Sequence, residues 1–164
     1  MKFYISGEWV DHNEKINVTN PFDGTVVDTV PKGNVQDVEN AIKSSVNGAK
    51  VMESIPAYKR YEILLKTAGL MQENLEDLAK TITLEEGKVI TEAKAEVERA
   101  IQTMTSSAEE AKRLYGETIP LDSAPHWTGQ FGFTMRVPCG VVAAISPFNF
   151  PLNLVCHKVG PALA

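Results

Sequence analysis

The five-residue run Val141-Val142-Ala143-Ala144-Ile145 admits few folds. It is far too short for a membrane span and too evenly apolar for a strand with one wet face. It reads as a strand buried on both faces of a parallel sheet. The loop Ser146-Pro147-Phe148-Asn149-Phe150-Pro151 follows, its path held by two prolines, and Leu152 to Ala164 then has the look of a buried helix opening. Strand, loop and helix make half of a crossover unit, and a parallel sheet needs further units to cover its faces. They are not among these 164 residues, so the chain is expected to be a truncated piece of an α/β protein.

Upstream of that unit two other zones are legible. Up to about Val30 the chain is short-stranded and turn-punctuated. Phe3 to Ile5 and Glu8 to Val10 flank Ser6-Gly7, a hairpin signal, and Asn20-Pro21-Phe22-Asp23-Gly24 is a second turn leading into a β-branched strand, Thr25 to Val30. From about Asn34 to Glu117 the pattern is helical. Asn34 is an N-cap with Asp37 in the first turn. Val38, Ala41, Ile42 and Val46 share one face of the first helix, and Pro56 restarts the chain into a second bearing Tyr61, Leu64, Leu65, Ala68 and Met71. Leu75, Leu78, Ala79 and Ile82 mark a third helix, which Gly87 stops. Ile90, Ala93, Val97, Ile101, Met104, Ala108, Ala111 and Tyr115 mark the longest. These stripes are assigned to core packing. Between the helices and the buried strand, Gln130 to Val137 reads as extended, with Phe131, Phe133, Met135 and Val137 on one side.

Charge and cysteine content narrow the function classes. A formal net charge of -5, with basic and acidic residues interleaved, excludes a nucleic-acid backbone as partner. Two cysteines, Cys139 and Cys156, are too few for a disulfide framework and point to a cytoplasmic setting. The opening residues meet glycine and acid too early for a signal peptide, and no apolar run is long enough to cross a membrane. No CxxC or HxxxH spacing supports a metal, and no GxGxxG or Walker loop is present.

The stiff loop is where chemistry is expected. In open α/β sheets ligands bind at the carboxyl ends of strands, which is the place of residues 146–151. An amide on a fixed loop can donate to an oxyanion without reorganising, and Asn149 is that candidate. On spacing alone a second role stands beside it, an asparagine that ties the loop to its own backbone. Cys156 and His157 are sequence neighbours, but neighbours on a helix point about 100° apart, so a thiolate–imidazole hydrolase is rejected. Cys156 reads as a small core filler and Cys139 as a turn residue with no flanking base.

The run from Cys139 to Pro151 resembles the signature of the aldehyde dehydrogenase superfamily, a P-[WF]-N-[FYH]-P loop after a G-[VI]-[VI] strand. His157-Lys158-Val159-Gly160-Pro161-Ala162-Leu163-Ala164 is similar to the helix that follows it. Leu84 to Lys88 resembles the family's E-x-G-K turn, Tyr4 to Val10 its F-I-x-G-x-W opening, and Asn20-Pro21 its N-P turn. The resemblance spans the chain, in family order. It implies an α/β fold: the amino-terminal part of an aldehyde-dehydrogenase-type Rossmann-variant cofactor domain that dispenses with GxGxxG, built of β hairpins, a helical segment and the start of the parallel sheet. Residues 1–126 would belong to that cofactor domain, 127–138 to the start of an oligomerisation arm, and 139–164 to the first strand-loop-helix of the core.

The family reaction begins with thiolate attack on an aldehyde, passes hydride to NAD or NADP, and ends when a glutamate-activated water hydrolyses the thioester. By resemblance Asn149 is the oxyanion donor, and Ile145, Ser146, Pro147 and Phe148 lie along the cofactor. The nucleophilic cysteine, the glutamate and the ribose-binding lysine match no position up to Ala164, so the 164-residue chain alone is expected to be inactive. The form of the loop and of His157-Lys158 is similar to the branch acting on small polar or anionic aldehydes. There Arg99 or His157 would meet an anionic tail, although Arg99 has an equal reading as an exposed partner of Glu96 or Glu98. Homo-oligomerisation through the 130s strand is implied, with no nucleic acid, membrane or metal. The alternative is a non-catalytic oligomerising module derived from such an enzyme.

Overall fold

The computed structural model describes residues 1–164 and opens on two β hairpins. In the first, β1 (Phe3–Ile5) pairs antiparallel with β2 (Glu8–Val10). Both turn residues, Ser6 (φ 57°) and Gly7 (φ 87°), are left-handed, the geometry whose twist matches a two-residue hairpin. In the second, β3 (Lys15–Thr19) pairs with β4 (Val26–Pro31) across the Asn-Pro turn. That turn is tied by Asn20 Oδ1, which accepts from Phe22 N at 3.0 Å, and by Asp23 Oδ1, which accepts from Thr25 N and Oγ1.

Helix α1 (Val35–Ser54) begins with the cap expected at Asn34. Asn34 Oδ1 accepts from Asp37 N at 3.1 Å, and Asp37 Oδ2 accepts from Asn34 N at 2.8 Å, a reciprocal capping box. That backbone donor, opposed by some burial and helped by His12, holds the Asp37 carboxyl below its usual range. The apolar stripe on α1 is nonetheless not core. Val38, Ile42 and Val46 stay exposed because the main packing partner of α1 within this chain is the short strand β1. A 3.6-residue period shows which face is apolar; it does not say whether a partner is there to cover it.

The core gathers around α4 (Ile90–Ala111), which packs on α2 (Ala57–Glu73), α3 (Leu75–Glu86) and α5 (Asn153–Leu163). Leu64 and Ala68 of α2 meet Ala100, Met104 and Ala108 of α4 and Cys156 of α5; Ala79 and Ile82 of α3 meet Ala93 and Val97. Alanines at the crossings let the helix axes approach closely. Gly160 does the same for α5, since a Cβ there would come within 2.6 Å of Ser107 Oγ. Gly87 ends α3 in the left-handed region (φ 77°) and lies where a Cβ would stand 2.8 Å from Pro21 Cγ, so the E-x-G-K and N-P turns touch. Tyr115, expected on α4, lies past its end and is exposed.

The last zone departs most from expectation. Of Gln130 to Val137 only β6 (Gly132–Phe133) is paired, with β5 (Thr118–Ile119), and Phe131, Phe133, Met135 and Val137 all face solvent. Val141 to Ile145 forms no ladder and is exposed rather than buried on both faces. A strand exists only through hydrogen bonds to a neighbour, and no segment of residues 1–164 lies beside this one. No helix is long and apolar enough to cross a membrane.

Candidate functional site

The loop of residues 146–151 is anchored from α4 and from the turn after α3. Helix α5 begins with Leu152 at its N-cap, a residue with no side-chain oxygen to meet the free N–H groups of the first turn. Glu96 of α4 supplies the missing acceptor: its Oε1 accepts from Leu152 N at 3.0 Å and from Asn153 N at 3.2 Å. A carboxylate at a helix start also meets the positive end of the helix dipole. Its other oxygen, Oε2, takes a 2.5 Å hydrogen bond from Lys88 Nζ. Glu96 is fully buried, so this pairing is what makes its charge tenable.

Lys88 ties the two ends of the arrangement together. Its ammonium donates to the Asn149 carbonyl at 3.0 Å, stands 3.1 Å from Glu86 Oε2 and lies 4.3 Å from the Phe150 ring centroid. Burial opposes its charge, but the Glu96 and Glu86 carboxylates outweigh that and hold its pKa above the usual lysine value. Arg99 packs on Phe150 as well, at 5.0 Å.

The sequence-nominated residues fall into two groups. Asn149 is exposed, and its carboxamide makes no hydrogen bond within the chain; the only contact of the residue in this network is its backbone carbonyl. The reading in which it ties the loop to its own backbone is therefore not realised. Ile145, Pro147 and Phe148 are exposed beside it, while Ser146 is half-buried and donates to Leu154 O at 3.3 Å. Arg99 and His157 line one groove between α4 and α5, together with Thr103 and Asn153. Thr103 Oγ1 lies 3.1 Å from Asn153 Oδ1 and 3.4 Å from His157 Nε2. Asn149 does not line that groove.

Arg99 pairs with neither Glu96 nor Glu98, contrary to the simpler expectation, because Glu96 points inward and is taken by Lys88. Cys156 is buried in the helix core, and burial first, then the Glu96 charge, pushes its thiol up; Cys139 is exposed. No three His, Cys, Asp or Glu side chains gather as a metal site. Glu96 and Lys88 were missed as a pair in the sequence, yet a signal exists. Glu96 stands three residues after Ala93 and four before Ala100, on the buried stripe of α4, and a carboxylate there requires a cation.

Comparison with known proteins bears on this arrangement. The chain is 45% identical over 161 residues to the 3-sulfolactaldehyde dehydrogenase of Priestia aryabhattai, covering 98% of this chain and 33% of that protein. It is 40% identical over 162 residues to the NADP-dependent succinate-semialdehyde dehydrogenase of Escherichia coli, with the same coverage. Among solved structures, aldehyde dehydrogenase 21 of Physcomitrella patens in complex with succinate superposes with a TM-score of 0.95 at 39% identity, over 99% of this chain and 34% of that one. The NADP complex of the glyceraldehyde-3-phosphate dehydrogenase from Bacillus halodurans gives 0.91 at 33% identity, over 99% and 35%. The chain thus spans about a third of the length of the relatives it matches. Its mixed α/β fold is the amino-terminal part of their cofactor domain. Since the model of the aldehyde dehydrogenase family matches residues 9–164, nearly the whole chain, it belongs to that family.

Proposed function

We propose that residues 1–164 serve the NAD- or NADP-dependent oxidation of a small polar or anionic aldehyde to its acid. In this reading 1–126 is cofactor-domain framework, 127–138 begins an assembly arm and 139–164 carries the reactive loop. The observation that carries it is the free carboxamide of Asn149 on a loop whose backbone is fixed from two sides. An amide left without an internal partner is available to donate to an aldehyde oxygen as it gains charge, and its fixed loop spares the reorganisation that would weaken such a donor.

Ile145, Ser146, Pro147 and Phe148 fit a dinucleotide. Ile145, Pro147 and Phe148 present exposed apolar side chains on a proline-fixed strip, and Ser146 anchors that strip to Leu154 O. The dinucleotide supplies the hydride acceptor. The strip holds and orients it, and keeps water from that side. The thiolate nucleophile and the glutamate base belong to polypeptide outside residues 1–164, so the isolated chain forms no NAD(P)H from aldehyde. The anionic preference rests on Arg99 and His157 sharing a groove, and on relatives named for sulfolactaldehyde, succinate semialdehyde and glutarate semialdehyde, all charged aldehydes. The bare row Phe131, Phe133, Met135 and Val137 supports homo-oligomer contacts, and the two unpaired cysteines fit a reducing, cytoplasmic setting.

A chimera tests the reading. Residues 1–164 replace the matching third of the E. coli succinate-semialdehyde dehydrogenase, and NADPH formation is followed with succinate semialdehyde. Asn149→Ala is expected to lower kcat at least about a hundredfold, about 3 kcal/mol of barrier. Arg99→Ala is expected to raise KM for the semialdehyde by a larger factor than it lowers kcat, since Arg99 also packs on Phe150 of the loop. A folded, active chimera whose Asn149→Ala variant keeps its kcat overturns the assignment.

A further inference from the structure

We propose that Lys88 and Glu96 are positioning residues: through the loop backbone they fix the direction in which Asn149 presents its carboxamide. The proposal rests on the oxyanion reading of Asn149 and adds to it the pair that makes the donor directional. Within residues 1–164 the run Val141 to Ile145 has no ladder partner and Asn149 is exposed, so the segment ahead of the loop does not set that direction. Ser146 Oγ donates to Leu154 O, and around Asn149 itself the loop is held by Lys88 on the Asn149 carbonyl, by the Phe150 ring lying against Lys88 and Arg99, and by Glu96 on the N–H groups of Leu152 and Asn153. Two prolines restrict the path and these contacts set the ends. The carbonyl of residue 149 belongs to the peptide plane next to its own Cα, so a cation that fixes that plane restricts where the side chain leaves the backbone. Lys88 and Glu96 hydrogen-bond each other, so one ion pair grips both sides of Phe150 and Pro151.

The test uses the 15N-labelled chain without aldehyde or cofactor. The Asn149 side-chain NH2 resonances, assigned by their loss in Asn149→Asp, are followed with amide exchange at Leu152 and Asn153. In Lys88→Met, which keeps the aliphatic stem, the NH2 pair is expected to collapse to disordered-chain positions. Protection of the two amides is expected to fall at least tenfold beyond the change in global stability. Lys88→Arg, which keeps a donor cation, is expected to restore both. Glu96→Gln keeps an acceptor for Leu152 N and Asn153 N but turns an N–H donor toward Lys88, so the Asn149 NH2 pair is expected to collapse while the two amides keep most of their protection, which provides a second variant should Lys88→Met fail to fold. Two results overturn the proposal: unchanged Asn149 resonances in the folded variants, or a protection loss spread evenly over α4 and α5 in proportion to stability. Because loop order is read without turnover, a rate-neutral Asn149→Ala chimera sinks the oxyanion reading alone, whereas an undisturbed loop in Lys88→Met sinks the clamp alone.

Discussion

Gly160→Ala puts one methyl group at the tightest point of the α4–α5 crossing, and its cost can be worked from the geometry. The added Cβ would stand 2.6 Å from Ser107 Oγ, 3.1 Å from Ser107 Cβ and 3.3 Å from Met104 Sδ. Met104 is a flexible neighbour that yields, but Ser107 is buried and donates to Thr103 O at 2.8 Å, so turning its hydroxyl away breaks that bond. Overpacking of this kind costs about 1–3 kcal/mol. Against it stands the better helix propensity of alanine over glycine, worth about 1 kcal/mol in a helix interior. The net is a loss of up to about 2 kcal/mol, which in a chain of this size lowers Tm by at most about 4–8 °C. Ser107→Ala removes the nearest atom and leaves contacts that need only a few tenths of an ångström of give. The double variant is therefore expected to recover most of the loss, with a coupling of about 1 kcal/mol. Thermal unfolding of the four proteins by circular dichroism reads the cycle. A Gly160→Ala variant at least as stable as the parent, or strictly additive single effects, refutes the close-approach argument.

Alkylation with iodoacetamide at neutral pH is expected to be biphasic, Cys139 reacting quickly and Cys156 at least tenfold more slowly because it is buried with a raised pKa; peptide mapping that finds Cys156 first contradicts the packing. Asp37 has a lowered folded pKa, so its contribution to stability is present above the ordinary aspartate range and is lost as pH falls through the lowered folded value. Amide exchange in the first turns of α1 should therefore rise selectively below that range, and Asp37→Asn should show the faster exchange already at neutral pH with little further change on acidification.

How much of this was legible in the sequence depended on how local each cause is. The Ser6-Gly7 hairpin, the Asn34 cap and the Gly87 stop appear where expected because a few adjacent residues decide them. The packing of Ala93, Val97, Met104 and Ala108 was legible because their stripe has a partner on three sides. The stripe on α1 and the run Val141 to Ile145 were misjudged for the opposite reason: apolarity describes what a segment would bury, and the covering element is not within this chain. At the site, the stiffness of the loop that carries Asn149 was legible from its two prolines. The pair that grips its loop was not, because Lys88 and Asn149 are 61 positions apart and Glu96 reaches Asn153 across 57.

The burial of Glu96 settles what that pair contributes. An isolated buried ion pair adds little to stability, because desolvating two charges costs several kcal/mol that their attraction only roughly returns, and well-packed apolar replacements often do as well. Here replacement is not neutral. Substituting Leu for Glu96 and Met for Lys88 removes the desolvation cost along with the attraction, but it also strips the acceptor from Leu152 N and Asn153 N, at about 1–3 kcal/mol for each N–H left without water. The N-cap Leu152 has no oxygen with which to compensate. The requirement at position 96 is therefore an oxygen acceptor before it is a charge, and Lys88 is the counterion that makes a carboxylate tolerable there. Once Lys88 stands in that place, its remaining N–H falls on the Asn149 carbonyl, so the chemistry that starts α5 and the chemistry that fixes the loop ahead of it are the same contact.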